Sequence, residues 1–130
     1  ESMGVPTLGV QVDQMPQFQS PPASDSPQIH RVDHLDAVAA IAKCHWSLPA
    51  TGGLLLCQSP PKATAMQPAE VARIVAEAER QVTATGPART PALLDAMATL
   101  SEGGTLRANV DLLVSNANLA GVLAETMSSD

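Results

Sequence analysis

Asn109 stands where an apolar residue is due. It lies among Leu106, Val110 and Leu113, whose steps of three and four mark one face of a helix, and Asn116 shares that face seven residues on. A buried amide costs about 1–3 kcal/mol unless its hydrogen bonds are met. The stripe therefore demands a partner for Asn109: backbone, water or a ligand. One reading is an amide that ties a helix to a loop. The other is a ligand-facing amide near a helix N-terminus, where donors and dipole favour an anionic or hydroxylated group.

Other residues offer chemistry less completely. His30, Asp33, His34 and Asp36 are close enough in sequence for a metal site, but HxxDH lacks the glutamate and third ligand of helical zinc patterns. A solvated loop with a helix cap is the simpler reading. His45 beside Trp46 reads as a core-edge histidine rather than a general base. A Schiff-base lysine needs a dry pocket that depresses its pKa. Lys43 on a helix flank and Lys62 after Pro61 both read as surface residues. Ser59, Ser101 and Thr105 have no positioned base in any known pattern. Walker, GxGxxG and CxxC motifs are absent. Cys44 and Cys57 make no disulfide scaffold and read as small reduced residues.

The elements that must position these residues follow from pattern and punctuation. Val5–Val12 alternates like a short strand, with Pro6 near its start. Residues 13–30 carry Pro16, Pro21, Pro22 and Pro27, a loop long enough to be functional or disordered. Residues 34–47 read as a helix with Asp33 as N-cap and Val38, Ile41, Ala42 and His45 on one face. Residues 53–58 lack polar alternation, the mark of a strand covered on both faces. A second helix opens at Gln67 or Pro68 with Val71, Ile74, Val75, Ala78 and Val82 inward, and Gly86-Pro87 ends it. Thr90-Pro91 reads as the hydroxyl cap and first-turn proline of a third helix that Gly103-Gly104 closes. A fourth runs from about Leu106 to Met127.

Strands followed by helices give an α/β layered fold, helix-rich with few buried strands. Two strands are too few for a self-sufficient sheet. The chain opens in mid-stride at Glu1-Ser2-Met3-Gly4, so a fragment with partner strands upstream is expected. Its 130 residues hold seven Lys+Arg against thirteen Asp+Glu, a net charge of −6, and 2% aromatic residues. That balance disfavours nucleic acid and anionic membranes as partners, while leaving room for a small phosphorylated ligand. No apolar run is long enough to span a bilayer. The tail Met127-Ser128-Ser129-Asp130 is not a peroxisomal SKL address, which leaves a cytoplasmic location as the default.

The order of segments resembles the C-terminal part of the pseudouridine-5′-phosphate glycosidase, or indigoidine synthase A-like, family. Gly4-Val5-Pro6, Gly9, Pro16 and Phe18 look like that family's GVP…GY.T…PAF segment. Arg31-Val32-Asp33, Trp46 and Gly52-Gly53-Leu54-Leu55 continue the likeness. Thr90-Pro91-Ala92-Leu93-Leu94 is similar to TPFLL, and Leu106–Leu113 with Asn116-Ala117 is similar to SL..NI.LV.NNA. Together these cover nearly the whole chain.

The resemblance implies the C-terminal portion, residues 1–130, of a single domain with a three-layer α/β/α sandwich fold. It implies cleavage of the C–C bond joining uracil C5 to ribose C1′ in pseudouridine 5′-phosphate, with uracil and ribose 5-phosphate as products. It further implies a Schiff-base lysine, a manganese ion with acidic ligands in the absent N-terminal half, and a homotrimer. The family's active-site asparagine falls on Asn109. Three positions depart from the family. Its NPIP loop reads Gln58-Ser59-Pro60-Pro61, the Tyr of its GY pair is Val10, and its RSS-type segment is Ser20-Pro21-Pro22-Ala23-Ser24. Two other readings follow: a catalytically inactive member acting as a ligand-binding or interaction protein, and a helix-rich partner domain of a larger chain, such as one fused to a sugar kinase.

Overall fold

A computed structural model describes residues 4–49 and 52–128. The chain's opening Glu1-Ser2-Met3 and its last two residues, Ser129 and Asp130, on which two of the readings above rest, lie outside the described residues. The order is β1 (Thr7–Val10), β2 (His30–Val32), α1 (Leu35–Trp46), β3 (Leu55–Cys57), α2 (Pro68–Gln81), a 3₁₀ turn (Gly86–Ala88), α3 (Arg89–Leu100) and α4 (Gly104–Ser128). These residues form two compact units. Among them, the first holds residues 4–16, 22–49, 52–59 and 115–128, and the second holds 17–21 and 60–114.

In the first unit the strands form a parallel sheet in the order β2-β1-β3. Leu8 pairs with His30 on one side and with Leu56 on the other. Parallel neighbours require the chain to travel back the length of a strand. Between β2 and β3 that return is α1, which buries Val38, Ala39 and Ala42. Between β1 and β2 it is irregular chain, which explains the length of the proline-rich segment. Backbone hydrogen bonds Met15 N to Pro27 O and Ile29 N to Asp13 O, both 2.9 Å, tie the two flanks of that segment together. Gly9 sits where a Cβ would meet Val12 O and lie 2.8 Å from Ile29 Cδ1, so the close return demands glycine.

β2 is a strand that the sequence pattern does not announce. His30-Arg31-Val32 has too little apolar pattern to announce a strand, and pairing with β1 alone defines it. Asp33 is not the cap of α1. His34 takes that position without a side-chain bond, because Arg31 Nε donates to Asp33 Oδ1 at 2.7 Å and Arg31 Nη1 to Asp13 at 3.3 Å. β3 is an edge strand of the sheet with Leu55 46% exposed, so the reading of a strand covered on both faces does not hold within this chain. Among the described residues only β1 has buried positions in a strand.

In the second unit α2 begins at Pro68, whose missing N–H costs nothing in the first turn. Ile74 and Ala78 are its buried residues, and with Met97 of α3 they form a core padded by Met66, Val75, Leu93, Ala96 and Leu100. α2 ends at Gln81, earlier than Gly86-Pro87. Gly86 (φ +60°) instead opens the 3₁₀ turn that runs into α3. Thr90 and Pro91 therefore lie inside the first turn of α3, and no side chain caps it.

The α3–α4 junction is a Schellman turn. Gly103 N bonds Ala98 O at 2.8 Å and Glu102 N bonds Thr99 O at 3.2 Å. Glu102 occupies the left-handed position (φ +51°) that glycine usually fills. Glu102→Gly is expected to raise stability by about 1 kcal/mol, read as a shift in the urea midpoint at unchanged slope.

Candidate functional site

The Schellman turn sets the end of α3 beside the start of α4, and a cleft of ≈ 260 Å³ opens between them. Leu94, Asp95 and Ala98 line it from α3, and Thr105, Leu106 and Asn109 from α4. Ser101 locks the junction. Its hydroxyl donates to Met97 O at 2.8 Å and accepts the Thr105 N–H at 3.0 Å, capping α4. The Thr105 hydroxyl lies 3.1 Å from the same oxygen. Ser101 and Thr105 are thus spent on structure.

Gln19 completes the cleft. Gln17 and Ser20 exchange backbone hydrogen bonds around a two-residue reversal, with Phe18 at φ +45°, in the region hairpin turns usually give to glycine. Gln19 is 2% exposed. Its carbonyl accepts Met66 N at 2.9 Å, and its Nε2 donates to Thr105 O at 2.9 Å. Its Oε1 is buried without a hydrogen-bond partner among the described residues. Sequence reasoning missed this residue: glutamine is seldom buried, and Gln17–Ser20 carries no glycine to signal a tight turn.

Asn109 is half-buried in the cleft wall, and its side-chain amide makes no hydrogen bond to any described residue. It is therefore not a tie between helix and loop. That part falls to Asn116, whose Oδ1 accepts Gln58 Nε2 at 2.9 Å just beyond β3. The stripe around Asn109 is not the buried face of α4. Leu106, Val110 and Leu113 are 57%, 50% and 60% exposed, whereas Thr105, Ala108 and Leu112 are buried. Small side chains let that second face approach its neighbours, and apolar period alone does not say which of two faces is covered.

The remaining candidates fall away from the cleft. Lys43 and Lys62 are exposed and line no part of it. His45 Nε2 and Trp46 Nε1 both contact Gly52 O, at 3.3 and 3.2 Å, and clasp the connection from α1 to β3. The Cys57 thiol is pushed up by burial, away from nucleophilic use. No group of three or more His, Cys, Asp or Glu among the described residues could hold a metal ion. These residues do not fit a manganese site. The cleft itself offers two amides, one carboxylate and an apolar lining. That set has the chemistry to hold and orient a ligand; among its lining residues there is no activated nucleophile.

The sequence profile described as indigoidine synthase A like protein matches residues 1–126. The chain belongs to this family. Within the indigoidine synthase A-like family it is 41% identical over 128 residues to the pseudouridine-5′-phosphate glycosidase of Myxococcus xanthus, covering 95% of this chain and 42% of that protein. It is 35% identical to the protein of the same name from Geobacillus kaustophilus, covering 98% and 43%. The chain thus spans less than half the length of the curated relatives it matches, within their C-terminal part.

Among solved structures, a prealnumycin C-glycosynthase in complex with ribulose 5-phosphate superposes with a TM-score of 0.86 at 30% identity, over 98% of this chain and 43% of that one. An indigoidine synthase A-like protein from Thermotoga maritima gives 0.84 at 23%, over 95% and 41%, a likeness of fold. The helix-rich α/β reading stands. No helix among the described residues is long and apolar enough to cross a membrane.

Proposed function

We propose that this chain is the C-terminal portion of one pseudouridine-5′-phosphate glycosidase domain, and that its α3–α4 cleft presents Asn109 to the substrate. The reaction adds water across the C–C bond between uracil C5 and ribose C1′, giving uracil and ribose 5-phosphate. One observation carries the reading. Asn109 lines a cleft with its amide unpaired among the described residues, in a chain 41% identical to a pseudouridine-5′-phosphate glycosidase.

Asn109 acts by holding and orienting the substrate. A primary amide donates through nitrogen and accepts through oxygen, so it fixes a polar edge without adding charge. Fixing that edge aligns the breaking bond with groups supplied by the rest of the protein. The Schiff-base lysine belongs to that remainder, since Lys43 and Lys62 lie outside the cleft, and so do the ligands of a manganese ion. The exposed stripe of Leu106, Val110 and Leu113 and the open edge of β3 are the surfaces the remainder covers. Homotrimeric assembly and a cytoplasmic location complete the reading.

A second reading rests on Gln58-Ser59-Pro60-Pro61. Gln58 is engaged by Asn116, which favours a ligand-binding protein without turnover. Incubating the complete gene product with pseudouridine 5′-phosphate separates the two. The first reading expects uracil and ribose 5-phosphate in equal amounts. The second expects ribose 5-phosphate to bind tightly while pseudouridine 5′-phosphate is left intact.

A further inference from the structure

Gln19 carries an unmet hydrogen-bond requirement in the wall of the cleft that Asn109 also lines. Thr105 O only accepts, so the Gln19 amide nitrogen must face it and the amide has one orientation. That leaves Oε1 as a buried acceptor without a donor among the described residues. Such groups are rare in folded proteins, and each calls for a reason.

The cleft's electrostatics select the donor. Its lining holds one carboxylate, Asp95, and no cationic side chain. A phosphate would meet like charge there with no cationic side chain to neutralise it. A neutral ring fits: Leu94, Ala98 and Leu106 supply apolar contact, and the two amides supply polar edges. A pyrimidine joined to its sugar through carbon keeps both ring N–H groups free, whereas an N-linked one has lost a donor.

We propose that Gln19 is a specificity residue: its Oε1 accepts a ring N–H of the uracil moiety bound in the α3–α4 cleft, beside Asn109. This rests on the glycosidase reading and names which half of the substrate the cleft takes. Oε1 is closed to water as it stands, so the contact forms with a side-chain adjustment on ligand entry. Leu94, 40% exposed on the α3 side of the cleft, has the room to make it.

The test compares uracil with 1-methyluracil and 3-methyluracil binding to the complete protein by calorimetry, in the wild type and in Gln19→Met, which keeps the shape and removes the acceptor. The wild type is expected to bind one methylated ring about tenfold more weakly than uracil. Gln19→Met is expected to lose that preference, with ribose 5-phosphate affinity unchanged. Three results would overturn the proposal: a wild type indifferent to methylation at either nitrogen, a preference that survives Gln19→Met, or a loss confined to ribose 5-phosphate. The wild-type comparison stands even if Gln19→Met does not fold. Uracil release by the complete protein, followed in parallel, separates the two claims. If release persists while the preference survives the substitution, this inference alone fails; if release is absent, the glycosidase reading fails.

Discussion

Asn109→Ala in the complete protein is expected to lower kcat/KM for uracil release by on the order of a hundredfold or more while leaving the fold intact. The two halves of that expectation have separate causes. Removing an amide that fixes the substrate misplaces the bond to be broken, and misplacement of about 1 Å costs on the order of 10²-fold. Stability is spared because the Asn109 amide bonds no described residue. Alanine is also the better helix former, so the thermal midpoint should hold or rise slightly. Steady-state kinetics and a thermal melt on the same preparation check both. A variant that unfolds would mean Asn109 has a structural partner. A variant that turns over like the wild type would mean the cleft is not where substrate is held.

The second large effect is on the fold. Ile74 is 1% exposed at the centre of the α2–α3 core, against Ala78 and Met97. Ile74→Ala removes a buried side chain and leaves a cavity, at a cost of about 2–5 kcal/mol. A domain's whole stability is about 5–15 kcal/mol, so this is a large fraction. α3 carries Leu94, Asp95 and Ala98 on the cleft, so its loosening should weaken ligand binding as well. Chemical denaturation should show a lower midpoint. An unchanged midpoint would mean that α2 and α3 are not joined through Ile74.

Particular residues show how far the chain's pattern can be read. Pro68 and the spacing of Val71, Ile74 and Ala78 announce α2, because the helix and its buried face are decided locally. Asn109 is legible as a polar residue interrupting an apolar stripe. Which stripe of α4 is buried is not legible: Thr105, Ala108 and Leu112 face inward while the more apolar Leu106, Val110 and Leu113 remain open. That choice depends on what packs against the helix.

Asp33 and Thr90 have the right chemistry for caps. Arg31 competes successfully for Asp33, and the 3₁₀ turn at Gly86–Ala88 starts the helix before Thr90 is reached. β2 exists only through its register with β1. Gln19 is buried by contacts distant in sequence, with Met66 and Thr105, so no local window reveals it. The resemblance to the glycosidases rests on co-linear segments. The family match, the relatives and the superposed structures agree with it.

The measurement that bears most directly on the account is uracil release from pseudouridine 5′-phosphate, followed side by side for the complete gene product and for the 130-residue chain. The complete protein should release uracil with an equal amount of ribose 5-phosphate, and the 130-residue chain should release none. Release by the short chain, or a complete protein that leaves the substrate untouched, would contradict it.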